Sequence, residues 1–205
     1  MQAANVMRVV GILGGVASGK SLVSQQLAQL GAGVLDADRA GHEVLRTPQF
    51  EAEARKRWGP SIFGPDGHID RGRLAEIVFA ATPHADHERK YLEQLTHPEI
   101  GRRLGRQAEA MAAAGCAVAV LDAPLLMEAG WDGLCDVLVF VDSPRELCAR
   151  RAAARGWTEE QFAARQRAQE SLDWKRGRAD VIIDNSGSPE STLAQVQRLW
   201  HTLVG

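Results

Sequence analysis

The sequence lacks the features of a disulfide-stabilised or zinc-binding protein. Its 205 residues include only three cysteines, Cys116, Cys135 and Cys148, and no two of them form a C-x-x-C pair. Three cysteines cannot all pair within one chain, so a disulfide framework and a zinc cluster are both disfavoured. We therefore expect free thiols and a reducing compartment such as the cytoplasm.

Long hydrophobic runs are also missing. The longest, from Cys116 to Leu121, ends at Asp122, far short of the about 20 residues that a membrane-spanning helix needs. The short apolar stretch at residues 7–13 runs directly into glycines, which is not the pattern of a signal peptide. Residues before Met7 are either a ragged extension or the result of an alternative start. These observations predict a soluble protein.

The chain has no excess charge of one sign that would attract nucleic acid or an anionic membrane. It carries 24 basic and 26 acidic residues, for a formal net charge of −2. Hydrophobic residues make up 45% of it and charged residues 24%, a mix typical of a globular protein with its own core. We expect a single domain over residues 1–205 with neither a nucleic-acid nor a membrane partner. The oligomeric state stays open.

Short apolar segments alternate with longer helical ones along the chain. The apolar segments lack polar alternation, which is typical of strands buried on both faces of a parallel sheet. They are residues 9–13, 34–35, 117–121, 137–141 and 181–183. The stretches between them are rich in Ala, Arg, Glu and Leu at helical spacing. This alternation predicts an α/β fold, with a five-stranded parallel sheet and helices on both faces.

Two segments depart from this alternation. Residues 39–114 resemble several helices around a Gly/Pro-rich loop at 59–67, and we expect them to form a helical insertion over the carboxyl edge of the sheet. Residues 145–178 hold eight arginines and one lysine against five acidic residues. This second segment is either a lid that brings positive charge to a ligand or a solvated helical face.

A phosphate-binding loop follows the first predicted strand. Residues 14–21, Gly-Gly-Val-Ala-Ser-Gly-Lys-Ser, satisfy G-x-x-x-x-G-K-[ST] and begin a predicted helix, which is the required context. Gly14 and Gly19 permit turns that direct N–H groups at phosphate oxygens, and the helix N-terminus adds partial positive charge. Lys20 is placed to reach the β- and γ-phosphates, and the Ser21 hydroxyl is placed to bind Mg²⁺. The loop predicts nucleoside triphosphate binding without identifying the reaction.

Other motifs separate the classes of protein that use such a loop. A motor or transporter ATPase is disfavoured because the chain is short and has no LSGGQ-like signature. A GTPase switch has a D-x-x-G match at residues 38–41, but this lies close behind Lys20, and no N-K-x-D segment is present to bind guanine. A small-molecule kinase fits the sequence best.

Acidic residues follow two of the predicted strands. Asp36 and Asp38 come after residues 34–35, so they should lie at the carboxyl edge of the sheet, where open α/β folds bind ligands. One of them could orient or deprotonate the attacking hydroxyl, and either could instead cap the next helix. Asp122 follows the strand at 117–121 and either binds Mg²⁺ through water or caps a loop.

Five motifs together resemble the dephospho-CoA kinase family. In chain order they are the phosphate loop, D-A-D at 36–38, L-T-H-P at 95–98, P-L-L-x-E at 124–128 and A-D-x-x-I-x-N-x-G at 179–187. The resemblance spans about residues 8–187, with two departures: Ala17 where the family usually has glycine, and Leu22 where threonine is common. It implies a nucleoside-kinase-like P-loop fold that transfers the γ-phosphoryl group of ATP to the ribose 3′-hydroxyl of dephospho-CoA with Mg²⁺, the last step of coenzyme A synthesis. Another small-molecule kinase, acting on a nucleotide or a sugar acid, is the alternative.

The resemblance also implies which residues hold the nucleotide phosphates and the acceptor ribose. The phosphates would be held by the loop and the residue after it: Gly14, Gly15, Val16, Ala17, Ser18, Gly19, Lys20, Ser21 and Leu22. We expect Asp38 on the acceptor 3′-hydroxyl, with Asp36 supporting the loop or Mg²⁺-bound water. Residues 39–114 would then be the acceptor subdomain and residues 145–178 the lid.

Four further residues receive roles on the same basis. His97, in the predicted turn at 95–98, is expected near the acceptor, although a packing or capping histidine is the alternative. Glu128 would face the acceptor pocket or be an ordinary surface acid. Asn185 would lie against adenine or simply belong to a turn. In the basic segment Arg150 is expected nearest the phosphates, and the weaker candidates are Arg151, Arg155 and Arg165.

Overall fold

A parallel sheet organises the chain, as the sequence predicts. The computed structural model describes residues 7–80, 82–167, 169 and 171–205. Its strands are β1 (Arg8–Gly14), β2 (Gly33–Leu35), β3 (Val118–Leu121), β4 (Val137–Asp142) and β5 (Val181–Asp184). All neighbouring strands pair in parallel, in the order β2-β3-β1-β4-β5. The prediction of a five-stranded parallel sheet is confirmed, and it places β1 at the centre.

Helices connect the strands and form a separate group between β2 and β3. In the described part of the chain they are α1 (Lys20–Gln29), α2 (Ala37–Leu45), α3 (Pro48–Trp58), α4 (Arg71–Val78), α5 (Pro83–Ala113), α6 (Arg145–Ala154), α7 (Glu159–Arg167), α8 (Leu172–Gly177) and α9 (Pro189–Val204). Short 3₁₀ turns occupy Pro60–Ile62 and Trp131–Leu134. Among the helices of these ranges, none has the length and apolar character needed to cross a bilayer.

The core fixes β1 and α1 relative to each other. On one face of the sheet, Val10 and Ile12 of β1 are fully buried with Val23 and Leu27 of α1. Helix α9 completes this cluster through Val196 and other apolar side chains. Burying such side chains contributes about 1.5–3 kcal/mol each. The connection between β1 and α1 is therefore held at both ends by fully buried side chains.

The described chain divides into two compact units. One comprises the residues up to Asp36 together with Gly105–Gly205 and contains the whole sheet. The other is Ala37–Leu104 and contains α2, α3, α4 and most of α5. The roles of 39–114 as acceptor subdomain and of 145–178 as lid stay predictions.

A buried carboxylate ties helices together in the unit Ala37–Leu104. Glu88 of α5 is only 2% exposed, and it accepts hydrogen bonds from Arg57 at 2.6 and 2.9 Å. The indole of Trp58 donates a third bond at 2.8 Å. Both Glu88 oxygens are thus bonded to donors of α3, which is what allows a charge to be buried here.

Candidate active site

The phosphate loop departs repeatedly from ordinary backbone geometry. Between the end of β1 and the start of α1, positive φ angles occur at Gly14 (145°), Ala17 (58°) and Gly19 (100°). Within the loop, the Ser18 N–H donates to the Gly15 carbonyl at 3.2 Å. Turns of this kind direct successive N–H groups into a concave surface that suits anions. The strand–loop–helix context that the motif requires is present.

Lys20 is held against the loop that precedes it. Its ammonium donates to the carbonyls of Gly14 at 3.0 Å and Gly15 at 2.9 Å. Burial lowers the pKa of Lys20, and the positive charge of Lys175 lowers it further, while the nearby Asp122 raises it. The Lys20 ammonium beside the loop is therefore partly removed from water, which disfavours its charge. The negative charge of a bound triphosphate would offset this cost.

Lys175 is a second buried cation near Lys20, and it belongs to none of the five sequence motifs. It lies in α8 with its side chain 3% exposed, and it pairs with the carboxylate of Glu128 at 2.7 Å. Glu128 itself is 17% exposed. The one signal in the sequence was that Lys175 is the only lysine of the arginine-rich segment 145–178. The predicted contact of Glu128 with the acceptor stays a prediction.

The arginine-rich segment contacts the phosphate loop through Arg151. Its guanidinium donates to the Ser18 carbonyl at 3.0 Å. Arg150, which the sequence places nearest the phosphates, is exposed on α6, and its contact with a bound nucleotide stays a prediction. Consecutive residues of a helix differ by about 100° in direction, so sequence position alone could not choose between these neighbours.

Asn185 supports the loop from the end of β5. Its side chain is 1% exposed, its amide nitrogen donates to the Ser18 carbonyl at 2.7 Å, and its amide oxygen accepts from Thr192 at 2.8 Å. Both polar groups of the amide are thus used inside the protein. The predicted adenine contact of this turn stays a prediction.

The two acidic residues after β2 lie in different units. Asp36 follows β2 directly and is exposed at the carboxyl edge of the sheet. Asp38 lies in the first turn of α2 and is also exposed. A carboxylate in the first turn of a helix is favoured by the helix dipole, so its position has a structural reason as well. The roles of both residues toward the acceptor stay predictions.

The prediction of a turn at residues 95–98 is wrong. These residues lie inside α5, which continues through Pro98. Proline removes one backbone N–H and usually interrupts a helix. Here the helix continues nevertheless, and Ile100 and Leu104, which follow the proline, are buried. His97 is therefore a half-buried helix residue rather than a turn residue.

Because His97 is half-buried, it should make the free energy of unfolding depend on pH. Burial lowers its pKa, and the smaller effect of Glu93 opposes this. Because the folded pKa lies below the unfolded value of about 6.5, the stability contribution is complete above that pH and is lost as the pH falls toward the folded pKa. We expect His97→Gln to flatten the fall in unfolding free energy between about pH 7 and 5. Urea unfolding across this range measures it, and an unchanged slope would contradict the prediction.

Ala17 is expected to tolerate glycine but not valine. Its left-handed φ of 58° costs a non-glycine residue roughly 1–2 kcal/mol. However, its methyl group is buried beside Val16, Cys148 and Phe162. This burial stabilises the folded state by about 0.8 kcal/mol. Ala17→Gly should therefore change the free energy of unfolding by less than about 1 kcal/mol. Ala17→Val should lower it by about 1–3 kcal/mol, because a β-branched residue is a marked outlier in this region. Thermal and urea unfolding of the two variants, compared with wild type, test this.

Comparison with known proteins identifies the family. A sequence profile of dephospho-CoA kinases matches residues 8–191. The chain belongs to the dephospho-CoA kinase family. A dephospho-CoA kinase of Symbiobacterium thermophilum is 43% identical over 203 residues, which are 97% of this chain and 82% of that protein. One of Thermobifida fusca is 41% identical over 200 residues, with 96% of each chain covered.

A solved structure shares the fold of this chain. The crystal structure of TT1252 from Thermus thermophilus is 33% identical and superposes with a TM-score of 0.77, covering 97% of this chain and 99% of that one. The P-loop kinase fold inferred from the five motifs is confirmed. In this member of the dephospho-CoA kinase family, the Ser18 carbonyl of the phosphate loop accepts hydrogen bonds from Asn185, which follows β5, and from Arg151 of α6.

Proposed function

We propose that this protein transfers the γ-phosphoryl group of ATP to the ribose 3′-hydroxyl of dephospho-CoA, the last step of coenzyme A synthesis. Its membership of the dephospho-CoA kinase family over residues 8–191 carries the proposal. The alternatives of a nucleotide or sugar-acid kinase and of a GTPase switch have no comparable support. The substrate is a small molecule, and the reaction belongs in the cytoplasm, where free thiols such as those of Cys116, Cys135 and Cys148 stay reduced.

The phosphate loop and Lys20 would position the phosphates of ATP and stabilise the charge on them during transfer. Phosphoryl transfer passes through a loose transition state whose charge is spread over phosphate oxygens, so positioning and electrostatic stabilisation dominate. The turns of the loop would direct N–H groups at the phosphates, and Lys20 supplies a cation that the carbonyls of Gly14 and Gly15 already hold at the loop. The protein residues are thus arranged before the reaction begins, and preorganised groups need not reorganise as the charge moves.

Mg²⁺ fits the oxygen donors near the loop. The Ser21 hydroxyl is exposed in the first turn of α1, and Asp122 lies close enough to affect the pKa of Lys20. Among the described residues, no group of three or more His, Cys, Asp or Glu side chains forms a metal cage. Mg²⁺ in nucleotide sites uses one or two protein oxygens with phosphate oxygens and waters. When bound, it would neutralise charge on the β- and γ-phosphates.

Asp38 is our proposed contact for the acceptor hydroxyl. A carboxylate at this position would accept a hydrogen bond from the 3′-hydroxyl and direct its oxygen toward the γ-phosphorus. Because a loose transition state demands little base catalysis, orientation is the larger part of this role. Asp36, His97, Glu128 and Arg150 complete the proposed set around the two substrates.

The decisive experiment follows ADP release with Mg·ATP and different acceptors. Dephospho-CoA should be phosphorylated, whereas adenosine, AMP, gluconate and a blank without acceptor should give little turnover. Asp38→Asn should lower kcat by about 10²-fold, because the acceptor hydroxyl loses its orientation. Asp86→Asn, at an exposed position of α5, is the matched control and should behave as wild type. Turnover on another acceptor, with none on dephospho-CoA, would overturn the proposed substrate.

A further inference from the structure

Three donors converge on one carbonyl of the phosphate loop. The Ser18 carbonyl accepts from the Asn185 amide at 2.7 Å and from the Arg151 guanidinium at 3.0 Å. The Ser143 hydroxyl lies 2.9 Å from the same oxygen. A carbonyl oxygen has two lone pairs, so this acceptor is fully used by side chains outside the loop. No such convergence is needed merely to satisfy the group.

The convergence determines the direction of a neighbouring N–H. In a trans peptide, the carbonyl of one residue and the N–H of the next point in opposite directions. Within the described residues no peptide bond is cis, so the Gly19 N–H points away from the three donors. The Ser18–Gly19 peptide thus has its carbonyl turned toward β4, β5 and α6 and its N–H turned toward the opposite side of the loop.

The donors are themselves held in place. The Thr192 hydroxyl donates to the Asn185 amide oxygen at 2.8 Å, which fixes the amide nitrogen toward Ser18. Arg151 reaches the Ser143 hydroxyl at 3.1 Å and the Asn185 carbonyl at 3.0 Å. The fork of the guanidinium therefore spans the loop and the turn after β5, which a lysine ammonium could not do.

The loop backbone is adapted to this arrangement at Gly19. Its φ of 100° belongs to the region that favours glycine. In addition, a side chain at this position would collide with the amide nitrogen of Asn185. Gly19 therefore allows both the turn itself and the close approach of Asn185 that holds the Ser18 carbonyl.

We propose that Arg151 and Asn185 are positioning residues that orient the Ser18–Gly19 peptide, so that the Gly19 N–H faces the nucleotide phosphates. The inference rests on the proposed ATP-dependent function. It assigns to these two residues the affinity for the polyphosphate group, rather than for the adenosine part or the acceptor. Since the Gly19 N–H would contact phosphate in both the ground state and the transition state, losing its orientation raises the KM for ATP more than it lowers kcat.

The test uses substitutions that keep the charge or the shape of each side chain. Arg151→Lys retains the positive charge but loses the fork, and Thr192→Val removes the hydroxyl that orients Asn185. Thr192→Ser keeps the hydroxyl and should rescue the function. Arg198→Lys, at an exposed position of α9, is the matched control. Calorimetry measures the binding of ATP, ADP and adenosine to the full-length protein, and steady-state kinetics gives KM and kcat with dephospho-CoA.

We expect Arg151→Lys to weaken ATP and ADP binding by about tenfold or more and to leave adenosine binding within about twofold of wild type. Thr192→Val should weaken both nucleotides by a few-fold, and Thr192→Ser should restore them. Equal weakening of all three ligands, or nucleotide binding that matches wild type, would overturn the inference. If Arg151→Lys does not fold, the Thr192 pair decides. Failure of the wild-type protein to bind ATP would instead overturn the proposed function.

Discussion

Lys20→Met should lower kcat/KM for ATP by about a hundred- to a thousandfold or more, while the protein stays folded. The substitution removes the cation that the loop holds at the carbonyls of Gly14 and Gly15. It leaves an unbranched side chain of similar length, so packing is largely preserved. The loss measures the stabilisation of charge on the transferring phosphoryl group, and steady-state kinetics with dephospho-CoA determines it.

The loss of activity in Lys20→Met should not be accompanied by a loss of stability. Because burial lowers the pKa of Lys20, the charged form is less stable in the folded protein than in water. Removing the charge should leave the free energy of unfolding unchanged or raise it. Lys56→Met is the matched control, since Lys56 is exposed on α3 and pairs only with Glu53 in the contacts described. Retained turnover, or a marked loss of stability in Lys20→Met, would contradict this prediction.

Glu128→Gln should be among the most destabilising single substitutions in this protein. It leaves the ammonium of Lys175, whose side chain is 3% exposed, facing a neutral amide in place of a carboxylate 2.7 Å away. Breaking a buried ion pair in this way costs about 3–5 kcal/mol. For a chain of this size the melting temperature should fall by about 6–20 °C. Thermal unfolding monitored by circular dichroism gives the shift.

A double substitution separates the cost of an unpaired charge from the value of the pair. Glu128→Leu combined with Lys175→Met removes both charges and should recover most of the stability that Glu128→Gln loses. Lys175→Met alone should lower the free energy of unfolding nearly as much as Glu128→Gln, because the buried carboxylate of Glu128 then loses the ammonium of Lys175. If the double variant is as unstable as the worse single variant, the contacts of these side chains matter more than their charges.

The sheet could be predicted because each strand is a short apolar segment that can be recognised without knowing its neighbours in space. Five apolar segments without polar alternation became β1 to β5, and the glycines of the loop follow the first of them. The helix through residues 95–98 could not be predicted in this way. Proline at position 98 argues locally for a break, whereas packing of the long helix α5, with Ile100 and Leu104 buried, outweighs one lost hydrogen bond.

The candidate site was predictable only where its chemistry lies within one motif. The phosphate loop carries its own signature, but the residues that support it do not. Asn185 bonds a carbonyl that lies 167 positions earlier in the chain. Arg151 and Lys175 each lie in a run of similar basic residues, and only the three-dimensional arrangement distinguishes these two from their exposed neighbours. Long-range contacts of this kind leave no periodic pattern in a single sequence.

Cysteine burial near the loop affects how this protein withstands oxidants. Cys148 packs against Val16 and Ala17, and burial raises the pKa of its thiol. Burial likewise raises the pKa of Cys135 to about 12. Peroxide and alkylating reagents attack the thiolate, so both sulfurs are poor targets at neutral pH. We therefore expect little sulfenic acid formation at Cys148, the cysteine that packs against the phosphate loop.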